Sequence, residues 1–386
     1  MRVLVTYGKH PKTLSVVRSL GRSGREVFIT DDTRSPLCAF SRYCSRSFLL
    51  PDPGKKQAEY VEELSALVTR LAADLVIPMD DAECDILSVE FNCRRIKASI
   101  GITQGYSYEV ARDKWKTVGL ASQLGVATPK TILVNNSDSV SSIPESLGFP
   151  AIIKPVKGSG SRGFLVLKDS EALSRVSASI RKYGDMIAQE FIPSSGAIGV
   201  SLLLNRGGTK AIFAHKRIVQ FPTNGGPSII RESIHHPAAE EAARQLMESL
   251  EWHGVGMVEF RVDSRTQRPV LMEINPRFWG SLPLAIASGV DFPRLLCDMY
   301  EYGDISTIEP YEVGVRCVNI LPFGVASVLA KGGFARSRAI LRSALQCRCL
   351  DIESLRDPLP TFGALASMVS SVFNQELVHS VFKRGE

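Results

Sequence analysis

Residues 254–263 read Gly254-Val255-Gly256-Met257-Val258-Glu259-Phe260-Arg261-Val262-Asp263, and residues 270–280 read Val270-Leu271-Met272-Glu273-Ile274-Asn275-Pro276-Arg277-Phe278-Trp279-Gly280. The polar stretch Ser264-Arg265-Thr266-Gln267-Arg268 lies between these two short apolar runs. That is the pattern of a β-hairpin with an exposed loop. Side chains alternate along a strand, so Val258 and Phe260 share one face and Glu259 shares the other with Met257 and Arg261. Glu273 and Asn275 are two apart and project together. Two carboxylates and a carboxamide can therefore converge, and Pro276, which has no amide proton, ends the ladder beside them.

Oxygen ligands of this kind suit a hard cation. Magnesium takes one or two carboxylates and fills its shell with water and substrate phosphates. Arg277 adds a planar donor fork for phosphate oxygens. One glutamate on a half-buried hairpin would ordinarily face solvent; two acids, an asparagine and an arginine in this order are more specific.

Glu259-Phe260 followed by Glu273-Ile274-Asn275-Pro276-Arg277 resembles the metal-binding signature of the ATP-grasp superfamily. The resemblance implies an α/β and α+β architecture, the ATP-grasp fold, with a pre-ATP-grasp parallel-sheet domain at the N-terminus. It implies ATP as co-substrate and magnesium as the metal, with manganese as a substitute, held by Glu259, Glu273 and Asn275.

The 386 residues can bury a substantial core and should form two or three packed units. A net charge of +6 suits small anionic substrates and does not suggest a nucleic-acid surface. Eight cysteines show no paired framework, and Cys347-Arg348-Cys349 is too tight for a zinc knuckle. Reduced thiols in a cytoplasmic protein are the expectation. No apolar run has the length of a signal segment or a membrane span.

Residues 1–105 alternate strands (Arg2–Thr6, Glu26–Thr30, Asp74–Pro78) with helices (Pro11–Ser23, 55–72), which implies a small parallel sheet. The turn Tyr7-Gly8-Lys9-His10 is not a dinucleotide fingerprint. Asp31-Asp32 and Asp80-Asp81 fall at carboxyl ends of strands, where open sheets bind ligands. Arg42, in a nearby loop, can hold a carboxylate. Residues 106–127 read as one helix that Ser107 can cap.

The stretch Ile152-Ile153-Lys154-Pro155 leads into Val156-Lys157-Gly158-Ser159-Gly160-Ser161-Arg162-Gly163, and a strand follows. Backbone amides approach phosphate closely where side chains are absent. A strand after the glycines excludes a Walker A loop and suggests a hairpin lid. A lysine inside a strand as apolar as that of Lys154 needs an anion. The resemblance assigns the α and β phosphates to Lys154, and a phosphate contact to Lys114. It places adenine against Glu190, Phe191 and Ile192. Between His215-Lys216-Arg217 and Arg231, the glycine-rich loop with Gly226 and Ser228 suits a transferred phosphate or an anionic acceptor. His235 and His236 are adjacent and point apart, which does not suit a metal.

The expected division is a parallel-sheet domain over 1–105 and an ATP-grasp domain over 106–308. The latter splits into a small lid subdomain over about 112–186 and a larger one over about 187–308. An extension over 309–386 ends in an amphipathic helix at Ala364–Phe382, which fits core packing or a homodimer contact. The implied chemistry joins a small carboxylate to an amine: the carboxylate attacks the γ phosphate, and the amine displaces phosphate from the acylphosphate. Arg277 and Lys154 offset the developing charge. Bicarbonate activation of the carbamoyl-phosphate or carboxylase kind, and a nucleotide-binding regulator without turnover, are the alternatives.

Overall fold

The computed structural model describes residues 1–158, 162–221, 226–308, 310–330 and 334–365. The first unit runs β1 (Arg2–Val5), α1 (Pro11–Arg22), β2 (Glu26–Asp31), β3 (Arg46–Leu49), α2 (Gln57–Leu71), β4 (Leu75–Ile77), α3 (Asp81–Leu87), α4 (Glu90–Cys93) and β5 (Ser99–Ile100). The strands form one parallel sheet in the order β3-β2-β1-β4-β5. Val3 and Val5 face one core and Leu4 the other, because a parallel sheet is covered on both faces.

A second group follows: α5 (Gly105–Arg112), α6 (Lys114–Gln123), β6 (Thr131–Val134), α7 (Ser137–Ser141), α8 (Ile143–Leu147), β7 (Ala151–Pro155), β8 (Leu165–Leu167), α9 (Ser174–Tyr183) and β9 (Met186–Glu190). Its four antiparallel strands lie in the order β6-β9-β7-β8. The single helix expected over 106–127 is two helices. Asp113 leaves helical geometry (φ −105°, ψ 107°) and its carboxylate caps α6 by accepting from the Lys116 amide at 3.0 Å. Ser107 does not cap; its hydroxyl donates to the Leu250 carbonyl at 2.6 Å. A polar residue able to cap α6 at its own start offers the backbone a better partner than helix continuation.

The largest sheet takes β10 (Ser194–Asn205), β11 (Gly208–Gln220), β12 (Ser228–Ile234), β13 (Gly254–Asp263), β14 (Pro269–Asn275), β15 (Arg316–Val318) and β16 (Cys349–Leu350), in the order β14-β13-β10-β11-β12-β15-β16. Helix α10 (Pro237–Ser249) covers one face through Ala243, Leu246 and Met247. Leu203, Phe213 and Val255 on the other face share a core with α11 (Leu282–Ala287), α12 (Phe292–Tyr302) and the β1 side of the N-terminal sheet. Strand alternation thus produces two cores from one sheet, and the shared core fixes the N-terminal unit to the large sheet.

Helices α13 (Val325–Ala330) and α14 (Phe334–Gln346) precede β16. The C-terminal region is anchored on α1, where the Arg18 guanidinium meets Asp357 at 2.8 Å and donates to the Ile352 carbonyl at 2.8 Å. Cys317 and Cys349, neighbours on the parallel β15–β16 ladder with Cα atoms 4.9 Å apart, form a disulfide. This corrects the expectation that all thiols stand unpaired: their proximity comes from a strand pairing 32 residues apart in sequence. The expected terminal helix at Ala364–Phe382 lies outside the described residues beyond Leu365. No helix among the described residues is long and apolar enough to cross a membrane.

Candidate active site

The β13–β14 register sets Glu259 directly opposite Glu273 and Met257 opposite Asn275. Val258 and Phe260 point the other way into the core under α10. Asn275 Nδ2 donates to Glu259 Oε1 at 3.4 Å. The two carboxylates and the amide therefore converge.

Cations surround this acid pair from three elements. Arg217 on β11 meets Glu259 at 2.5 Å. Lys114, at the first position of α6, meets Glu273 at 3.4 Å and donates to the Gly158 carbonyl at 2.9 Å. Its own amide donates to the Val156 carbonyl at 3.0 Å, which fixes the start of α6 to the end of β7. Lys154 reaches from β7 across to the large sheet and donates to the Met272 carbonyl at 3.2 Å. Arg261 shares the face of Glu259.

Burial alone would raise both glutamates. At Glu259 burial and the neighbouring Glu273 outweigh Arg217, and its carboxyl lies above the usual range. At Glu273 burial is outweighed by Lys114 and Lys154, and its carboxyl lies below that range. Burial pushes the Lys154 ammonium down to about 8, with Glu273 opposing and Lys114 adding. Arg261 is likewise lowered by burial and by Arg217. Three cations thus face two carboxylates at the meeting of two sheets, with Arg261 beside Arg217 and Lys154. That excess of positive charge suits an incoming polyanion.

Arg277, expected as a donor fork for phosphate oxygens, is engaged by Asp81. Its Nε meets Asp81 Oδ1 at 2.5 Å, Nη2 reaches Oδ2 at 3.4 Å and Nη1 donates to the Phe278 carbonyl at 3.1 Å. Asp81 opens α3, so this pair ties the hairpin to the N-terminal sheet. Arg112 extends the link: it grips Asp85 at 2.7 and 3.0 Å and donates to the Gly158 carbonyl at 3.4 Å. Arg112 and Asp85 escaped the sequence reading, since nothing in their spacing marks them; only the position of Arg112 two residues before Lys114 was a signal.

Gly158 and Gly163 bracket the glycine-rich loop. Gly163 has φ +72°, and a Cβ there would lie 2.8 Å from Pro155 Cγ, so only glycine closes the turn. Arg162 is exposed. Ser159, Gly160 and Ser161 lie outside the described residues. At the end of β9 the Glu190 carboxylate accepts from the Lys130 amide at 3.0 Å, Phe191 is part-exposed and Ile192 is buried.

Other candidates stand apart. Lys216 and Arg217 are adjacent on β11 and face opposite ways; Lys216 pairs with Glu232 at 2.7 Å, away from the acid pair. His215 is not cationic. Burial pushes it down to about 3, and it is wedged where a Cβ on Gly199 would lie 2.4 Å from its ring. Arg42 is exposed beside Tyr43. The Ser228 hydroxyl donates to the Ile230 carbonyl at 3.1 Å within the ladder, and Gly226 precedes it. Asp80 caps α3 in a reciprocal box with Glu83. Residues 222–225 of the same loop lie outside the described residues.

A parallel-sheet unit is followed by a four-stranded sheet that meets a larger sheet over an acid pair ringed with cations, the arrangement that the resemblance to the ATP-grasp superfamily implies. Residues 111–281 match the family model of the ATP-grasp domain. It is 25% identical over 274 residues to a putative urea carboxylase of Emericella nidulans, covering 65% of this chain and 22% of that protein. It is 24% identical over 213 residues to a probable alpha-L-glutamate ligase of Teredinibacter turnerae, covering 52% of this chain and 66% of that one. The chain thus spans less than two thirds of either relative. Among solved structures it resembles the biotin carboxylase domain of Hydrogenobacter thermophilus 2-oxoglutarate carboxylase, crystallised with MgADP and bicarbonate. That likeness has a TM-score of 0.67 at 15% identity, over 82% of this chain and 73% of that one.

Proposed function

We propose that the chain is an ATP-dependent carboxylate–amine ligase that forms an amide or peptide-like bond. The observation that carries this reading is the pairing of Glu259 with Glu273 across adjacent strands, with Lys114 and Lys154 beside them. The likeness to a glutamate ligase supports it.

The donor set fits magnesium. Among the described residues no group of three or more His, Cys, Asp or Glu side chains surrounds one point. Two carboxylates and an amide leave coordination positions for phosphate oxygens, which is how magnesium is usually bound beside a nucleotide. Glu259, Glu273 and Asn275 would hold it, and it would neutralise β and γ phosphate charge. Lys154 and Lys114 lie where phosphate charge develops, and as buried ammonium groups they act more strongly than in water. Glu190, Phe191 and Ile192 flank the adenine position, and Gly158 and Gly163 stand at the phosphate end of the site.

In the proposed reaction a carboxylate oxygen attacks the γ phosphorus and the bond to the bridging oxygen of ADP breaks. The amine nitrogen then attacks the acyl carbon, the acyl–oxygen bond breaks, phosphate leaves and the amine gives up a proton. The division into 1–105, 106–308 and 309–386 belongs to this proposal, as does a cytoplasmic setting that supplies ATP.

The test is ADP release by the full chain with pooled carboxylic acids and amines. Release that needs both classes supports the ligase. Release with bicarbonate and no amine would favour the carboxylase reading that the urea carboxylase likeness raises, and MgATP binding with no release under any condition would favour a regulator. Glu273→Ala should abolish release; full activity in that variant refutes the assignment.

A further inference from the structure

Asp81 and Asp85 lie one turn apart on α3 and share a face of that helix. Asp81 holds Arg277 beyond the acid pair, and Asp85 holds Arg112, the last residue of α5. The Arg112 guanidinium is fixed in orientation. Its Nε and Nη2 meet the two Asp85 oxygens at 2.7 and 3.0 Å, and Nη2 lies 4.0 Å from Asp81 Oδ2. The Tyr108 hydroxyl also donates to Asp85 Oδ1, at 2.7 Å, and pins the carboxylate in turn. A bidentate fork of this kind has little freedom to turn. Only 13% of the Arg112 side chain is exposed, so water competes little for its donors.

That leaves Nη1, which donates to the Gly158 carbonyl at 3.4 Å. The Lys114 ammonium donates to the same oxygen at 2.9 Å. A carbonyl oxygen has two lone pairs and can accept both. The partners of Lys114 differ in what a ligand would do to them. Glu273, 3.4 Å away, is one of the carboxylates that would hold magnesium, and the metal would draw it off. The Gly158 carbonyl is an acceptor that no phosphate oxygen can occupy, so it stays with the ammonium when a polyphosphate arrives. A lysine head is a compact charge on a flexible four-carbon stem and needs an outside hold to be aimed. The Gly158 oxygen supplies that hold, and Arg112 fixes the oxygen from the side of the N-terminal unit.

We propose that Arg112 is a positioning residue for nucleotide binding. Held by Asp85, it fixes the Gly158 carbonyl, and that carbonyl sets where the Lys114 ammonium meets the nucleotide phosphates. The inference rests on the reading of Lys114 as a phosphate contact. The effect of Arg112 runs through Lys114 and not through a phosphate contact of its own. An ion pair that merely joins α3 to α5 would change stability and leave the phosphate contribution alone. The quantity that separates the two roles is the gap between MgATP and adenosine affinity, because adenosine has the same base and ribose and no phosphate.

The test titrates MgATP and adenosine into the full chain as wild type, Arg112→Met, Lys114→Met and the double variant. Lys114→Met should narrow the gap between the two ligands about tenfold to a hundredfold, the size of one charge-assisted hydrogen bond. Arg112→Met should narrow it about threefold to tenfold, the coupling of neighbouring residues, with adenosine affinity unchanged. It should add nothing in the Lys114→Met background. Arg112→Lys, which keeps the charge and loses the fork, should recover only part of the gap. If Arg112→Met does not fold, Asp85→Asn releases the same guanidinium from a part-exposed position and makes the same comparison. A wild-type gap in the variant, an equal loss for adenosine, or an additive loss in the double variant overturns the proposal and leaves the nucleotide site standing. Absence of MgATP binding in the wild type would instead sink the nucleotide-site reading, and the proposal with it.

Discussion

Two buried charge clusters sit on the same seven-stranded sheet, and they differ in stoichiometry and access. On β12, β15 and the turn after β16, Arg231 pairs with Asp351, which also accepts from Asn319 Nδ2 at 2.7 Å. These side chains are 2% and 4% exposed, one cation to one anion. On β11, β13 and β14, Glu259 and Glu273 meet an excess of cations, and Glu273 keeps 27% of its side-chain surface. A closed, balanced pair fixes structure, because removing one partner strands the other. An open cluster with surplus positive charge leaves an anionic ligand something to complete.

The contrast breaks first at Asp351. Asp351→Ala should cost about 3–5 kcal/mol by leaving Arg231 buried without its anion, read as a shift in urea midpoint; a loss near zero would mean water reaches that pair. Glu273→Gln should act chiefly on turnover. Turnover should fall about a hundredfold to a thousandfold, while the midpoint falls by less than at Asp351, because Lys114 and Lys154 lose a carboxylate that is part-exposed rather than sealed. Unfolding of that variant would make the cluster structural after all.

Glu83 is the limiting case, a buried carboxylate held by the Thr6 hydroxyl and by the Asp80 amide at 3.0 Å, with no cation. Burial raises it to about 7 from an ordinary 4.5. The folded state therefore holds a proton that the unfolded state releases between those values. Stability from this group is present below pH 4.5 and is lost as pH rises to about 7, by about 3 kcal/mol. Glu83→Gln should flatten that slope in melts at pH 5 and pH 7.5, and an unchanged slope would place the proton elsewhere.

The smallest effects come from the neighbours on β11. Arg217→Ala should lower turnover about tenfold, the loss of one charge-assisted contact. Lys216→Ala, on the outer face, should change stability by less than about 1 kcal/mol and leave turnover alone. Equal effects in an ADP-release assay would show that the face assignment is wrong.

The hairpin was legible because period-two alternation is local: Val258 and Phe260 went to the core, and Glu259 came opposite Glu273, as the pattern implies. Lys154 was legible as a charge in an apolar strand. The break at Asp113 was not, since a continuous helical pattern conceals a cap that competes with it. Nor was the engagement of Arg277 by Asp81, because the partners are 196 residues apart.

The sequence by itself determined which side chains share a face and where glycine and proline interrupt the ladder, because those follow from backbone geometry over a few residues. Only the tertiary structure decided which charges are cancelled and which are left open. Ion pairing is settled by distance and burial, and both depend on how separate elements are brought together.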